Sequence, residues 1–318
     1  MAKGRFRIGV DIGGTFTDVV LLEDDGTVHI AKAVSTPHAY EHGILKMLAR
    51  LLRENAIPAE GCTEVSHGTT IATNAIVEHK GAATGLITTK GFRDVLELRR
   101  IRIPRQYDLT WEKPQPLVER YLRLEVEERG NYKGEVLAPL DAESVRRALR
   151  RLLEHGMESV AVCLLHSFAN PAHERSIRDI LRREAPGLHV SLSSDVLPEM
   201  REYERTSTTV INAYVQPVVK RYLASLESGL RAQDFRAPVL MMQSNGGVMA
   251  AELAGERPIH IIESGPAAGV IAAHQLGRRI SEHNIISMDI GGTTAKASLI
   301  EGGRLSFSSA YEVGGGFS

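Results

Sequence analysis

The sequence is poor in cysteine, in aromatic side chains and in net charge. Its 318 residues include 2 cysteines and 5% aromatics, and 38 Lys and Arg against 39 Asp and Glu leave a formal charge of −1. So few cysteines exclude a disulfide-stabilised scaffold. The near-neutral charge argues against a dedicated nucleic-acid or anionic-membrane surface. A hydrophobic fraction of 43% excludes intrinsic disorder.

Long apolar runs and targeting patterns are also missing. No stretch approaches the roughly 20 apolar residues of a membrane-spanning helix, and Asp11 follows the basic N-terminus too soon for the apolar core of a signal peptide. Cys62 and Cys163 form no CxxC or CxxH motif. Because Cys163 lies in an apolar run, we expect a buried thiol. These features predict a cytoplasmic protein with no membrane partner.

Strand and helix signals alternate along the chain, which is typical of an α/β fold. Asp141 is a suitable N-cap for a predicted helix over residues 142–155. A strand is predicted at 259–262, and a long helix over 203–230 should kink or break at Pro217.

The change of pattern near residue 200 predicts a domain boundary. We place two domains at residues 1–198 and 199–318. Neither domain carries GxxxxGK[ST] or a strand-linked GxGxxG motif, so P-loop and Rossmann nucleotide sites are excluded.

The most informative feature is an internal repeat. Asp11 to Asp18 reads DIGGTFTD, and Asp289 to Lys296 reads DIGGTTAK. Glycines let backbone N–H groups approach phosphate oxygens, and threonines add hydroxyl donors. A carboxylate repels phosphate unless a cation lies between them, so Asp11 and Asp289 predict Mg²⁺ bound mostly through water. The alternative, two simple Gly-Gly hairpin turns, is less favoured for a matched pair than for one copy.

The paired hairpins resemble the phosphate-1 and phosphate-2 motifs of the actin, Hsp70 and sugar-kinase ATPase superfamily. Further segments make the chain similar to the A subunit of the ATP-dependent hydantoinase and 5-oxoprolinase family, which includes an acetone carboxylase subunit. These segments are residues 66–75, 86–96, 202–214 and 263–270. The resemblance implies an α/β fold of two actin-like (ribonuclease H-like) ATPase domains, the second apparently truncated. We therefore expect a portion of a longer protein that binds ATP weakly by itself.

The resemblance also implies an activity. It is the ATP-dependent opening of a cyclic amide, such as a hydantoin or 5-oxoproline, through phosphorylation of the amide oxygen, with a hydantoinase B-type partner subunit. One alternative is an acetone-carboxylase-type subunit that activates a ketone or bicarbonate. Another is a non-catalytic nucleotide-binding fragment or subunit.

Carried over to matching positions, the resemblance assigns roles to both hairpins. Asp11 and Asp289 would be catalytic and would hold Mg²⁺. The phosphates of ATP would be bound by Gly13, Gly14, Thr15, Thr17, Gly291, Gly292, Thr293 and Thr294. The substrate would meet the strand-to-helix transition at His67, Thr69, Thr70 and Asn74, unless Thr69 or Thr70 only caps that helix.

Several residues keep two interpretations. Lys296 could neutralise phosphate, although a solvated strand-end lysine is favoured. The segment 265–269 could receive a nucleotide at a helix N-terminus or allow close helix packing. Glu204 and Arg205 could be catalytic, but their spacing favours a surface pair.

Overall fold

The computed structural model describes residues 4–36, 39–100, 107–110, 112–291 and 295–308. Within these ranges the chain forms two units. Unit 1 combines the residues up to Asn74 with those from Val219 onward, and unit 2 comprises Ala75–Val218. The predicted division after residue 198 stays a prediction.

The described part of the chain contains strands and helices in alternation, as the sequence predicts. The strands are β1 (Phe6–Ile12), β2 (Phe16–Glu23), β3 (Val28–Val34), β4 (Cys62–Thr69), β5 (Thr84–Thr89), β6 (Arg123–Val126), β7 (Arg129–Gly130), β8 (Val136–Ala138), β9 (Ser159–Cys163), β10 (His189–Leu192), β11 (Val239–Met242), β12 (Val248–Ala250), β13 (Ile285–Ile290), β14 (Ala295–Glu301) and β15 (Arg304–Leu305). The helices are α1 (Tyr40–Glu54), α2 (Ile71–Val77), α3 (Val95–Leu98), α4 (Ala142–Glu154), α5 (Ala172–Glu184), α6 (Ser193–Val196), α7 (Glu202–Ala232), α8 (Ala251–Glu256) and α9 (Ser264–Ile280).

Unit 1 contains a six-stranded sheet with the order β12-β11-β4-β1-β2-β3. β4 lies parallel to both β1 and β11, whereas β1, β2 and β3 form an antiparallel meander. Side chains alternate along β1, so that Ile8, Val10 and Ile12 are buried. The helix α1 packs against β2 and β3. The parallel pairing of β1 with β4 brings their carboxyl ends to the same edge of the sheet.

The second copy of the repeat forms a separate three-stranded sheet in unit 1, with the order β13-β14-β15. Ile286, Met288 and Ile290 occupy the repeat positions of Ile8, Val10 and Ile12, yet all three are exposed. The strand pairing also differs: β1 lies between β2 and β4, whereas β13 pairs only with β14 among the described residues. The two copies therefore share a hairpin but not its surroundings.

Unit 2 is built on a four-stranded parallel sheet with the order β10-β9-β5-β6. Its core joins Ile87, Val160 and Val162 to apolar side chains of α4 and α5. The carboxylate of Asp141 accepts hydrogen bonds from the Glu143 and Ser144 amides, which confirms the predicted N-cap of α4. Cys163 is a buried free thiol, as predicted.

Two predictions about local structure need correction. Residues 259–262 are not a strand, because Pro258–Ile261 forms a 3-10 turn. Pro258 lacks the N–H that a strand ladder needs, and its fixed φ suits the first position of a helical turn. The helix α7 continues through Pro217, so it does not break into two helices there, whereas a kink at Pro217 stays a prediction. Val215 and Val219 are buried on either side. None of the described helices has the length and apolarity to cross a membrane.

Unit 2 offers a direct test of its packing. A Cβ on Gly81 would lie 2.1 Å from Cε1 of the buried Tyr214 ring. We expect Gly81→Ala to lower the free energy of unfolding by about 1–3 kcal/mol because the ring must move. The matched control is Gly187→Ala, whose Cβ would meet nothing within 4 Å. Equal melting temperatures of the two variants would contradict this packing.

Candidate functional site

The candidate site is centred on Asp11, near the carboxyl end of β1. Asp11 lies opposite Gly68 on β4 and Asp18 on β2. Its Oδ1 atom is 3.0 Å from the position that a Cβ would take on Gly68, and 3.0 Å from the corresponding position on Gly265. Any side chain at either glycine would crowd the carboxylate. Three separate sequence motifs therefore meet at one oxygen atom.

Hydrogen bonds fix the backbone below this carboxylate. The Thr69 amide donates to the Ser264 hydroxyl, which in turn donates to the Thr69 carbonyl, both at 3.1 Å. The amide of Glu263 donates to the Thr73 hydroxyl at 3.3 Å. Glu263 has a φ of 63°, in the left-handed region, directly before α9 begins. These contacts join the end of β4 to the start of α9.

The charges around Asp11 favour a bound cation. Burial of the carboxyl group, and then the negative charges of Asp18 and Asp289, raise its pKa to about 6, and Lys32 partly opposes this. Lys32 donates to both carboxylate oxygens of Asp18, at 2.9 and 2.8 Å. Asp11 as a whole residue is nevertheless exposed, so a hydrated cation can reach its carboxylate. A cation placed there would relieve the repulsion between the carboxylates.

The first hairpin has an exposed tip and a buried support. The amide of Gly13 donates to the Phe16 carbonyl at 2.9 Å, and both Gly14 and Thr15 are exposed. Thr17 is instead buried; its hydroxyl lies 3.0 Å from that of Ser35, which donates to the Gly13 carbonyl. Thr17 thus supports the loop from inside, whereas Gly13, Gly14 and Thr15 remain accessible.

The predicted substrate residues separate into two pairs. His67 is fully buried, with both ring nitrogens hydrogen-bonded. Thr69 is also buried, and its hydroxyl accepts from the Ile71 amide at 3.2 Å, which agrees with the capping interpretation. Thr70 and Asn74 are half-buried, and the Asn74 side-chain amide donates to the Thr70 hydroxyl at 3.3 Å. Of the four side chains, only Thr70 and Asn74 keep access to a ligand.

The second hairpin is described in part. Asp289 and Gly291 are exposed, whereas Gly292, Thr293 and Thr294 lie outside the described residues. Lys296 forms an ion pair with Glu263, and burial lowers the pKa of Lys296. It is therefore not the solvated lysine favoured by the sequence. This ion pair joins the second hairpin to the start of α9.

The favoured interpretation of Arg205 as a surface residue is wrong. In unit 2 its guanidinium is buried and donates to the Leu164 carbonyl at 2.7 Å and to the Ser167 hydroxyl at 3.2 Å. Glu204 is half-buried and pairs with Arg100. These two acceptors, together with the Phe168 ring 5.4 Å from the guanidinium carbon, hold Arg205 inside unit 2.

The sequence did not single out Gly68, Ser35 or Glu263 as site residues. Each gains its role from a partner distant in the chain: Asp11, Gly13 and Lys296 respectively. The sequence signals that could have indicated them are the SHGTT segment for Gly68 and the ESGPAAG segment for Glu263. Spacing along the chain cannot show that these segments meet.

Comparison with known proteins identified several similar sequences. An uncharacterized protein of Methanocaldococcus jannaschii is 40% identical over 98% of this chain and 46% of its own length. Caprolactamase subunit alpha of Pseudomonas jessenii is 35% identical, with coverages of 97% and 45%. 5-oxoprolinase 1 of Arabidopsis thaliana is 34% identical over 94% of this chain and 26% of its own length. The chain thus spans less than half the length of these relatives.

Two solved structures are closely similar to the chain. Nucleotide-free acetone carboxylase matches with a TM-score of 0.86 and 29% identity, covering 95% of this chain and 45% of that one. The ATP-dependent caprolactamase of Pseudomonas jessenii matches with a TM-score of 0.81 and 34% identity, with coverages of 92% and 43%. These matches confirm the predicted α/β fold of the actin-like (ribonuclease H-like) ATPase type.

Two family models match successive parts of the chain. The hydantoinase/oxoprolinase N-terminal region matches residues 7–185, and hydantoinase/oxoprolinase matches residues 205–318. The first match alone covers more than half of the sequence and includes Asp11 and Gly68, and the second includes Gly265. The chain therefore belongs to the hydantoinase/oxoprolinase family.

Proposed function

We propose that the protein of which this chain forms part is an ATP-dependent hydrolase that opens a cyclic amide of the hydantoin or 5-oxoproline type. The observation that carries the proposal is the convergence of the first hairpin, the end of β4 and the start of α9 on the Asp11 carboxylate. The relatives named caprolactamase and 5-oxoprolinase support a cyclic amide as substrate, and the caprolactamase is described as ATP-dependent.

The residues around Asp11 fit a magnesium ion that accompanies a nucleotide. Asp11 is a carboxylate with like-charged neighbours, one of which is Asp289. In the described parts of the chain no three His, Cys, Asp or Glu side chains could hold a metal alone. Mg²⁺ commonly takes one or two carboxylates and completes its shell with water and phosphate. Asp11 and Asp289 would hold it, and it would neutralise phosphate charge when bound.

The remaining hairpin residues would position the triphosphate. The exposed Gly14 and Thr15 would offer a backbone N–H group and a hydroxyl to phosphate oxygens. The Gly13 amide already donates to the Phe16 carbonyl, so Gly13 would shape the turn, with Thr17 supporting the loop. By the repeat, Gly291, Gly292, Thr293 and Thr294 would act from the second hairpin. Thr70 and Asn74 would face the ring substrate, with His67 and Thr69 holding their backbone. The roles at the first hairpin and at Thr70 and Asn74 rest on accessibility, whereas those at the second hairpin rest on the sequence repeat.

An amide carbonyl carbon resists attack because the nitrogen donates electrons to it. Phosphorylation of the amide oxygen makes that carbon a better electrophile for water. The protein's contribution to such a transfer is positioning and charge neutralisation. A B-type partner subunit would contribute to ring opening, and one relative, caprolactamase subunit alpha, is named as a subunit.

A second candidate is an acetone-carboxylase-type subunit that activates a ketone or bicarbonate with ATP. The match to acetone carboxylase, with a TM-score of 0.86, favours it. The two candidates differ in what stimulates ATP hydrolysis. We expect hydantoins or 5-oxoproline to stimulate ADP formation by the full-length protein with a candidate B subunit. Stimulation only by acetone with bicarbonate would select the carboxylase type.

The same assay can reject both enzymatic candidates. If the protein binds nucleotide but forms no additional ADP with any cyclic amide or with acetone and bicarbonate, it is a non-catalytic nucleotide-binding module.

Removal of the Asp11 charge should abolish metal-dependent catalysis. We expect Asp11→Asn to reduce substrate-stimulated ADP formation by roughly 100-fold or more. The variant lacks the carboxylate that would hold the metal, and the metal would neutralise the phosphate charge. The matched control is Asp25→Asn, which removes an exposed carboxylate from the turn between β2 and β3. Turnover of Asp11→Asn within twofold of that of Asp25→Asn would disprove this role.

The pKa of Asp11 also predicts a dependence of stability on pH. A carboxyl pKa of about 6 in the folded protein, against about 3.9 when unfolded, means that ionisation opposes folding above pH 6. That penalty disappears as the pH falls through 6 towards 4. Without metal or nucleotide, Asp11→Asn should therefore raise Tm at pH 7.5 but leave it unchanged at pH 4.

The control for this measurement is Asp25, whose pKa is shifted in the opposite direction from that of Asp11. Hydrogen bonds from Thr27 lower the pKa of Asp25, so Asp25→Asn should not raise Tm at pH 7.5. A Tm gain for Asp11→Asn that is the same at both pH values would show that charge repulsion at Asp11 is not its cause.

A further inference from the structure

A buried pair of polar rings lies below the candidate site. His67 on β4 is 0% exposed, and Tyr222 on α7 is 7% exposed. The Tyr222 hydroxyl is 2.6 Å from His67 Nε2, and His67 Nδ1 is 3.2 Å from the Val10 carbonyl oxygen. The chain of contacts runs from α7 through β4 to the residue directly before Asp11.

The direction of these hydrogen bonds follows from chemistry. A carbonyl oxygen only accepts, so His67 Nδ1 carries the hydrogen and donates to Val10. Nε2 is then unprotonated and accepts from the Tyr222 hydroxyl. Burial lowers the pKa of His67 to about 4 and raises that of Tyr222, so both rings are neutral at pH 7. Every polar atom of the two rings is thereby satisfied.

The His67–Tyr222 pair holds the ends of β1 and β4 at a place where small movements would disturb Asp11. Val10 lies opposite His67, and Asp11 lies opposite Gly68. The Asp11 Oδ1 atom is already 3.0 Å from the Cβ position of Gly68. Two apolar side chains could bury similar area here, but only hydrogen bonds impose a direction on the strand ends.

We propose that Tyr222 is a positioning residue: through His67 and the Val10 carbonyl it holds the ends of β1 and β4 so that the Asp11 carboxylate is presented to the metal–nucleotide complex. The statement that Asp11 is presented to a metal–nucleotide complex rests on the proposed function. Both rings are too buried to contact a ligand themselves, so an effect of Tyr222 on nucleotide binding would pass through the backbone around Asp11.

The test compares two buried tyrosines of α7. Tyr222→Phe removes only the hydroxyl, and the matched control Tyr214→Phe removes a hydroxyl from a ring that is also 7% exposed. In the unsubstituted protein, nitrogen-15 NMR should show His67 with hydrogen on Nδ1 and none on Nε2. Hydrogen on Nε2 would overturn the proposed relay.

Amide hydrogen exchange supplies a readout that does not depend on function. Tyr222→Phe should speed exchange at Asp11 and Gly68 at least tenfold relative to exchange at residues 160–162 of unit 2. Tyr214→Phe should leave the Asp11 and Gly68 rates within twofold. A uniform increase across the protein, or no increase at Asp11 and Gly68, would show that Tyr222 is an ordinary core residue.

Nucleotide binding tests the functional part. Support of a metal ligand by neighbouring groups is commonly worth tenfold or more in affinity, so Tyr222→Phe should weaken magnesium-dependent ATP binding roughly tenfold and Tyr214→Phe less than twofold. Equal affinities of the two variants would overturn the proposal. If the unsubstituted protein shows no magnesium-dependent binding, the proposed function fails instead, and hydrogen exchange still decides whether Tyr222 positions Asp11.

Discussion

The close approach of the Asp11 carboxylate to Gly68 and Gly265 is the constraint on which the candidate site depends. It requires β1 and β4 to end together, α9 to begin beside them, and two positions to lack a side chain. The hydroxyl of Ser264 and the ion pair of Glu263 with Lys296 then join α9 to β4 and to the second hairpin. A single carboxylate thus organises elements that are far apart in the sequence.

This arrangement is electrostatically unfavourable without a cation. Asp18 and Asp289 add negative charge near Asp11, and burial removes water that would otherwise stabilise its ionised form. Proteins commonly accept such a cost where function needs it. In the proposed function the cost is offset when metal and nucleotide bind; Lys32, which pairs with Asp18, already opposes part of it.

Local signals allowed much of the fold to be predicted from the sequence. Asp141 predicted the start of α4, and the repeated DIGGT motif predicted two hairpins. The failures concern residues whose roles depend on distant partners. The apolar run near Ile259 suggested a strand, but Pro258 starts a helical turn. Arg205 looked like a surface residue because its buried acceptors lie about 40 positions earlier in the chain.

The main requirement of the proposed function is that a metal–nucleotide complex binds beside Asp11, between the two hairpins of unit 1. It is tested most directly by replacing Mg²⁺ with paramagnetic Mn²⁺ and recording NMR line broadening with and without ADP. We expect ADP-dependent broadening that is strongest at Gly13, Gly68 and Gly265 and absent at residues 160–162. Broadening that is absent, independent of ADP, or centred elsewhere in the protein would contradict it.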